Sequence, residues 1–466
     1  MGGFSTMNTA ISGLLASQRA LDITGQNVVN ANTPGYSRQR VQVSSVAGAP
    51  SSNFHTGGSQ AVLGGVKIDT IERIRDVFLE NTRVAAGASL EAIKAQTTAL
   101  EGAEQLLSEP GDGGLQSVVD DFYNAWHDLA QKPTDPGAGA VVIQRGKTVA
   151  AQLAFVSSGL EERWETARDE LANTVSELNQ AAADLAKVNE RIREGNVVGR
   201  PVNELLDQRD VLVRTIGELA GGKPSVITDD GMVSVSVNGL NLVTGGRAER
   251  FELSGGTTLA TATVDPPIVT FGNSRVAIAS GKAAGLLAAL RTDLPNVSAQ
   301  LDGVAVALRD AVNTVHGLGF TVAGDPGGDF FTGSGAANLT VVPTQISELA
   351  VASNAGAVDG NNALAIADLS IDVNAETALG PGSTSPSGLW RNLTANVGTQ
   401  VQGLQRGLEV QATVLATADA GVESDAGVNL DEEMASLLMF QRSYQASARV
   451  ITTVDSMLET LINLGR

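Results

Sequence analysis

Three histidines, His55, His127 and His316, are the side chains best suited to proton transfer or metal binding near neutral pH. They sit in unrelated segments, no two have the spacing of metal ligands, and there is no HExxH run. His316 closes a stripe of apolar residues, so a structural role is expected of it. A serine nucleophile would call for a GxSxG elbow and a phosphate cradle for GxxxxGK[ST]; neither occurs. Gly324-Asp325-Pro326-Gly327-Gly328 reads as turns. Among the carboxylates, Asp229-Asp230 before Gly231 read as a solvated turn. Asp207 and Asp210, flanking Gln208-Arg209, read as a surface ion-pair network worth little. A hydrolase built on paired carboxylates in the Gly-rich region after His316 would need two carboxyls in hydrogen-bonding range and a raised pKa. Trp126 and Trp164 lie on apolar helical faces, where packing is expected. These residues predict no catalytic constellation, no metal site and no cofactor.

Composition narrows the classes further. In 466 residues, 31 Lys and Arg against 51 Asp and Glu give a formal charge of −20. That balance repels phosphate backbones and anionic lipid, so neither nucleic acid nor a membrane is an expected partner. No apolar run approaches membrane-spanning length. The absence of cysteine excludes disulfides and thiolate metal sites, and suits a chain that is threaded somewhere unfolded. Residues 1–30 lack the basic start, apolar core and cleavage site of a secretory signal, so any export is expected to proceed without a cleavable leader. With aromatics at 4%, the cores are expected to be built from Leu, Val, Ile and Ala.

The elements that must position any site are mostly helical. Met7, Leu14, Leu21 and Val28 recur every seven residues, with Phe4 and Ile11 at the offset position. Leu437, Tyr444, Ile451 and Leu458 do the same near the other end, with Phe440, Val454 and Leu461 three residues on from the first, third and fourth. Such stripes require another helix against them. Spacing leaves open whether that helix belongs to the same chain or to a neighbouring copy.

The first helix should stop at Asn32-Thr33-Pro34-Gly35-Tyr36, a type II turn with Gly35 at positive φ. Extended segments follow over Arg38–Ser45 and Val66–Ile71, with a loop over Gly48–Gly65 between them. Helices are expected over Arg75–Leu107, Leu115–Gln131 and Val141–Val156. Another carries Trp164, Leu171, Leu178, Leu185 and Ile192 at strict heptad spacing. Residues 221–279 read as four to six short strands, with a hairpin at Asn238-Gly239. A stripe from Leu287 to Val315 is helical again, kinked or restarted at Pro295.

The expected class is therefore α+β multidomain. Its parts are a terminal coiled coil (1–33 plus 428–466), a mainly α-helical bundle built from both halves of the chain (34–220 plus 280–427), and an inserted β-rich domain (221–279).

Several stretches carry a family resemblance. Asn30–Val41, NANTPGYSRQRV, resembles the signature of bacterial flagellar axial proteins, and Gly427–Leu464 resembles their C-terminal helix. Gly64–Leu79, Asn124–Pro136 (NAWHDLAQKPTDP), Asn203–Asp210 (NELLDQRD) and Val312–Gly317 (VNTVHG) are similar to the junction members of that family rather than to its hook and rod members. The resemblance does not reach the β insertion or the Gly-rich region. It implies a non-enzymatic structural protein outside the cell, exported through the flagellum's own channel and joining hook to filament. The implied partners are other copies of the chain, the hook protein, the second hook–filament junction protein, and an export chaperone at the C-terminal helix. The implied assembly face is Met7, Ile11, Leu14, Leu21 and Val28 with Leu437, Tyr444, Ile451, Val454, Leu458 and Leu461. A neighbouring axial protein, hook or second junction protein, is the alternative; the embedded hydrolase is the other.

Overall fold

The computed structural model describes residues 2–46, 64–107, 114–225, 231–272, 274–371 and 385–464. The expected loop at Gly48–Gly65 falls mostly outside these residues, as do His55 and the pair Asp229-Asp230.

Proline and glycine set the first boundaries. Helix α1 (Gly2–Asn30) ends at a turn in which Tyr36 N–H donates to Thr33 O at 3.1 Å and Gly35 takes φ +83°. This is the type II turn that Pro34-Gly35 favours. Strand β1 (Gln39–Ser45) then pairs antiparallel with β2 (Val66–Arg73), with Val41 opposite Ile71. Asp76 opens α2 (Val77–Leu106) by accepting from the Phe78 and Leu79 N–H groups. Helix α3 spans Leu115–Gln131.

Next comes α4 (Pro136–Val197), one helix of 62 residues where the sequence suggested two. Ser157-Ser158-Gly159 is not a break. A Cβ on Gly159 would lie 2.8 Å from Leu106 Cδ2, so the glycine is where α2 approaches closely. The heptad residues Trp164, Leu171, Leu178, Leu185 and Ile192 are all fully buried. After α5 (Asn203–Ala220) the chain turns at Gly221, φ +67°, into two antiparallel sheets.

The first sheet holds β3 (Lys223–Ser225), β4 (Ser234–Val237), β5 (Leu240–Thr244) and β6 (Arg247–Ala248) in sequence order. The second holds β7 (Phe251–Ser254), β8 (Ile268–Phe271) and β9 (Ser274–Val276). That is more strands than the four to six expected, because two-residue and three-residue strands carry too little alternation to register in a sequence. Asn238 (φ +46°) and Gly239 (φ +83°) form the expected hairpin. Both sheets sit along the second half of α4. Asn189 Nδ2 donates to Val233 O and Gly245 O at 2.8 Å each, and Asn179 Nδ2 donates to Phe251 O at 2.8 Å.

The stripe after the β segment is carried by α6 (Lys282–Ala288) and α7 (Leu294–Leu318), joined through a π turn at Ala289–Asp293. Pro295, which lacks an N–H, sits at the start of α7, so the stripe restarts there. A short α8 (Asn361–Ala367) follows, then α9 (Pro386–Ala426) and α10 (Leu430–Leu464). Helix α9 returns along α2, where Gln411 Nε2 donates to Ala86 O at 3.1 Å.

One core departs from the expected aliphatic composition. Phe122, Trp126, Phe330 and Phe331 cluster with ring centroids 4.8–6.3 Å apart, and His316 packs on Trp126 at 6.0 Å. Four of the chain's 17 Phe, Trp and Tyr residues thus meet where α3, α7 and the Gly-rich segment come together. His316 is structural: Nε2 accepts from Ala350 N–H at 2.9 Å, so Nδ1–H donates to Gly328 O at 2.7 Å. Burial pushes its pKa below the ordinary 6.5. The unfolded chain therefore binds the proton first, and this contribution to stability is complete above pH 6.5 and declines as pH falls below it. His316→Ala should cost about 3 kcal/mol by urea denaturation at neutral pH and flatten the stability profile below about pH 6.5. An unchanged profile would contradict this assignment.

Candidate assembly surface

Helices α1 and α10 lie side by side and antiparallel. Ser17 Oγ is 3.1 Å from Ser443 Oγ, a Cβ on Gly13 would lie 3.3 Å from Ser447 Oγ, and Asn27 reaches Glu433. The face α1 turns to its partner is not its apolar stripe. It is mainly Ala10, Gly13, Ser17, Ala20, Thr24 and Asn27, small or polar residues spaced three or four apart, all but Gly13 nearly fully buried, with Ala16 and Ile23 buried beside them. Small side chains let the helix backbones approach, and the α10 residues opposite Ser17 and Gly13 are themselves serines.

The expected assembly residues divide accordingly. On α1, Met7, Leu14, Leu21 and Val28 flank the seam, half-buried, and Ile11 is exposed. Farther round, Leu15 is 55% exposed and Val29 81%. On α10, Leu437, Ile451 and Leu458 are half-buried and Val454 is buried, on the face that carries Glu433 and Ser447; Tyr444 is 37% exposed. Leu438, Met439 and Met457 point outward. The side chains of Phe4 and Leu461 lie outside the described residues. One part of the expected set therefore lies toward the helix pair and the other part lies free of it.

The pair is anchored at one polar node. Asn27, 1% exposed, uses its whole amide. Nδ2 donates to Gln39 O (2.9 Å) and Glu433 Oε2 (3.0 Å), while Oδ1 accepts from Gln39 N–H (3.0 Å) and Tyr36 O–H (2.9 Å). Arg38 Nε donates to Glu433 Oε1 at 2.7 Å, and Arg38 Nη1 to Glu432 Oε2 at 3.0 Å. Tyr36 stays a donor throughout the physiological range: burial first, then the Asp207 and Glu433 charges, push its pKa up to about 12.

The turn residues thus join α1, β1 and α10. Asn32 and Thr33 enter the turn, Pro34 and Gly35 form it, and Tyr36 ties it to Asn27. A Cβ on Gly35 would lie 2.5 Å from Val211 Cγ2, so α5 also demands glycine there.

A second network links this unit to the helical body and corrects the sequence reading of Asp207 and Asp210. They are not a surface pair. Arg73 Nη2 lies 2.7 Å from both Asp207 Oδ1 and Asp210 Oδ2, and Arg75 and Arg209 also contact Asp210, at 3.2 and 2.9 Å. Arg73, Asp207 and Arg209 are each under a tenth exposed or close to it. The end of β2 covers this face of α5, which local spacing could not reveal. Burial raises the Asp207 pKa, and Arg73 opposes the rise. A cavity of about 680 Å³ lies beside the network, lined by Asn30, Thr33, Pro34, Tyr36, Val188, Glu204 and Leu212 among others.

In the Gly-rich segment, the pKa values of Glu348 and Asp359 are lowered, first by backbone N–H groups of Thr344 and Ser353. These carboxylates cap local turns, the opposite of the raised pKa that a hydrolytic acid would need. Among the described residues no group of three or more His, Asp or Glu is placed to hold a metal, and no helix is long and apolar enough to cross a membrane.

Sequence reasoning missed Asn27, Arg38 and Glu433. The one available signal was an Asn at a heptad position shared with Gly13 and Ala20.

Comparison with known proteins covers the segments of the sequence resemblance and also spans residues 221–279, which that resemblance did not reach. Residues 100–331 match the family profile described as flagellar hook-associated protein FlgK helical domain. Residues 7–36 match flagella basal body rod protein, and 420–464 match flagellar basal body rod FlgEFG protein C-terminal. The chain is 28% identical over 501 residues to flagellar hook-associated protein 1 of Bacillus subtilis (strain 168), covering 99% of this chain and 98% of that one. It is 24% identical over 554 residues to the Escherichia coli (strain K12) protein of the same name, covering 99% and 100%. A solved structure, the flagellar hook junction protein FlgK from Burkholderia pseudomallei, shares the fold with a TM-score of 0.65 at 14% identity, over 74% of this chain and 100% of that one.

Proposed function

We propose, on the premise that this chain belongs to the family of flagellar hook-associated protein 1, that it is a structural subunit of the bacterial flagellum joining hook to filament by self-assembly through its terminal helices. The observation that carries the assembly reading is the apolar surface left outside the α1–α10 seam, notably Leu15, Val29, Leu438 and Met457. Burying one such side chain contributes about 1.5–3 kcal/mol, and a closed ring repeats that contribution at every contact. The half-buried residues Met7, Leu14, Leu21 and Val28 border this surface and extend it. We assign residues 1–33 with 428–466 to a coiled-coil assembly domain, 34–220 with 280–427 to the helical body, and 221–279 to an outer β-rich domain.

The partners in this reading are sister copies, the hook protein and the second junction protein, with an export chaperone on α10 before assembly outside the cell. The role is structural rather than enzymatic. A neighbouring axial position, hook or second junction protein, is disfavoured because the match over residues 100–331 is to a hook-associated helical domain. Cells lacking the chain should keep hooks, lose filaments and shed monomeric filament protein, and purified chain added to isolated hooks should bind their ends. Filaments of normal length in the deletion strain, or no binding to hook ends, would refute the proposal.

A further inference from the structure

The α1–α10 seam raises a problem of alignment. The α1 side is Ala10, Gly13, Ser17, Ala20 and Thr24, small residues that present nearly the same surface at each heptad. Sliding α10 by seven residues, about 10 Å of helix, brings Val450 in place of Ser443 against Ser17 and Val454 in place of Ser447 against Gly13. Both exchanges set a valine against a glycine or a serine, side chains small enough that apolar packing alone discriminates poorly between alignments. Only Asn27 discriminates sharply. The same slide places Phe440 in the position of Glu433, and a phenyl ring offers nothing to a buried amide.

We infer that Asn27 and Glu433 are specificity-determining residues for helix pairing: a register lock that fixes one antiparallel alignment of α1 and α10 and ties it to the strand segment after the turn.

Saturation of the node supports this. Both hydrogens and both lone-pair directions of the Asn27 amide are used, and both Glu433 oxygens are used, by Asn27 and by Arg38. The side chain of Glu433 is only 4% exposed, so in a slid alignment its charge and that of Arg38 would also lose their partner. Leaving one buried amide unpaired already disfavours an alignment about tenfold. The buried polar residue here specifies structure more than it stabilises it, as a single Asn does in helical zippers. Gln39 is held at the same amide, so α1, β1 and α10 are set together. The lock decides which outward residues of the two helices stand side by side, and it operates whether or not those residues assemble.

The test uses the full-length chain, whose lack of cysteine makes crosslinking clean. Ser17→Cys with Ser443→Cys reports the native alignment, since the two oxygens they replace are 3.1 Å apart. Ser17→Cys with Val450→Cys reports the alignment one heptad away. With Asn27 present, mild oxidation should crosslink the first pair and leave the second reduced. In an Asn27→Leu background the second pair should crosslink at least about tenfold faster than it does with Asn27 present. If Asn27→Leu prevents folding, Glu433→Gln carries the test: it keeps an acceptor for Asn27, abandons Arg38, and should give measurable crosslinking of the second pair. Exclusive crosslinking of the native pair in the folded background used would overturn the lock and leave the Gly427–Asn429 connector as the determinant of register. Assembly assays play no part in this readout, so failure of the assembly proposal would not mimic failure of the lock.

Discussion

Arg73→Ala should destabilise the protein by about 3–5 kcal/mol, because its buried guanidinium holds two carboxylates of α5. Arg73 is the ion partner of Asp207, whereas Asp210 keeps Arg75 and Arg209. The variant therefore leaves the buried Asp207 carboxylate without its cation, with hydrogen bonds from Ser37 remaining, rather than dissolving the network. Burial already raises the Asp207 pKa above 3.8 with Arg73 opposing it, and removing the guanidinium lets it rise further. A raised carboxylate pKa in the folded state means that the cost is complete above that raised value. The cost fades as pH falls through it toward the unfolded value of 3.8. Urea denaturation at neutral and mildly acidic pH should show the penalty shrinking on acidification relative to the unsubstituted chain. A penalty independent of pH, or below about 1 kcal/mol, would show that Asp207 finds another partner. Arg73→Lys should recover only part of the loss, because an ammonium cannot span two carboxylates as a planar guanidinium does.

Leu438→Asp should abolish incorporation into the flagellum while leaving the monomer folded. Leu438 is 51% exposed on α10 and lies outside the α1 seam, so an aspartate there should change monomer stability by less than about 0.5 kcal/mol. In a packed subunit contact the same carboxylate is desolvated, at a cost of about 2 kcal/mol or more per contact, roughly thirtyfold in affinity. Leu458→Asp offers the contrast. That residue is half-buried on the α10 face that carries Glu433, so its substitution should loosen the helix pair itself. Circular dichroism with a hook-binding assay separates the two: Leu438→Asp keeps the helical signal and loses binding. Wild-type binding by Leu438→Asp would remove this face from the assembly surface.

Much of the architecture was legible in the sequence because it is written locally. Pro34-Gly35 can satisfy few conformations other than the turn observed, and Asn238-Gly239 announces its hairpin in the same way. The stripe from Trp164 to Ile192 is fully buried, as five large residues at strict heptad spacing on one helix face predict. Where the reading failed, a partner distant in the chain decided. The sequence pattern divides this helix after Val156 until Leu106 of α2 is seen pressed against Gly159 within one continuous α4. Asp207 and Asp210 read as solvated until Arg73, more than a hundred residues earlier, closes over them.

The same division holds for the terminal helices. Sequence alone determined that both are amphipathic, that a sharp turn follows the first, and that the acidic balance argues against a nucleic-acid partner. Only the tertiary structure decided which face of α1 meets α10. Hydrophobic periodicity marks residues that prefer burial, but close approach of two helices selects small ones, so Ala10, Gly13 and Ser17 take the seam while Leu15 and Val29 remain outside. The Asn27–Glu433 contact, 406 positions apart, could be found only once the fold had brought both ends of the chain together.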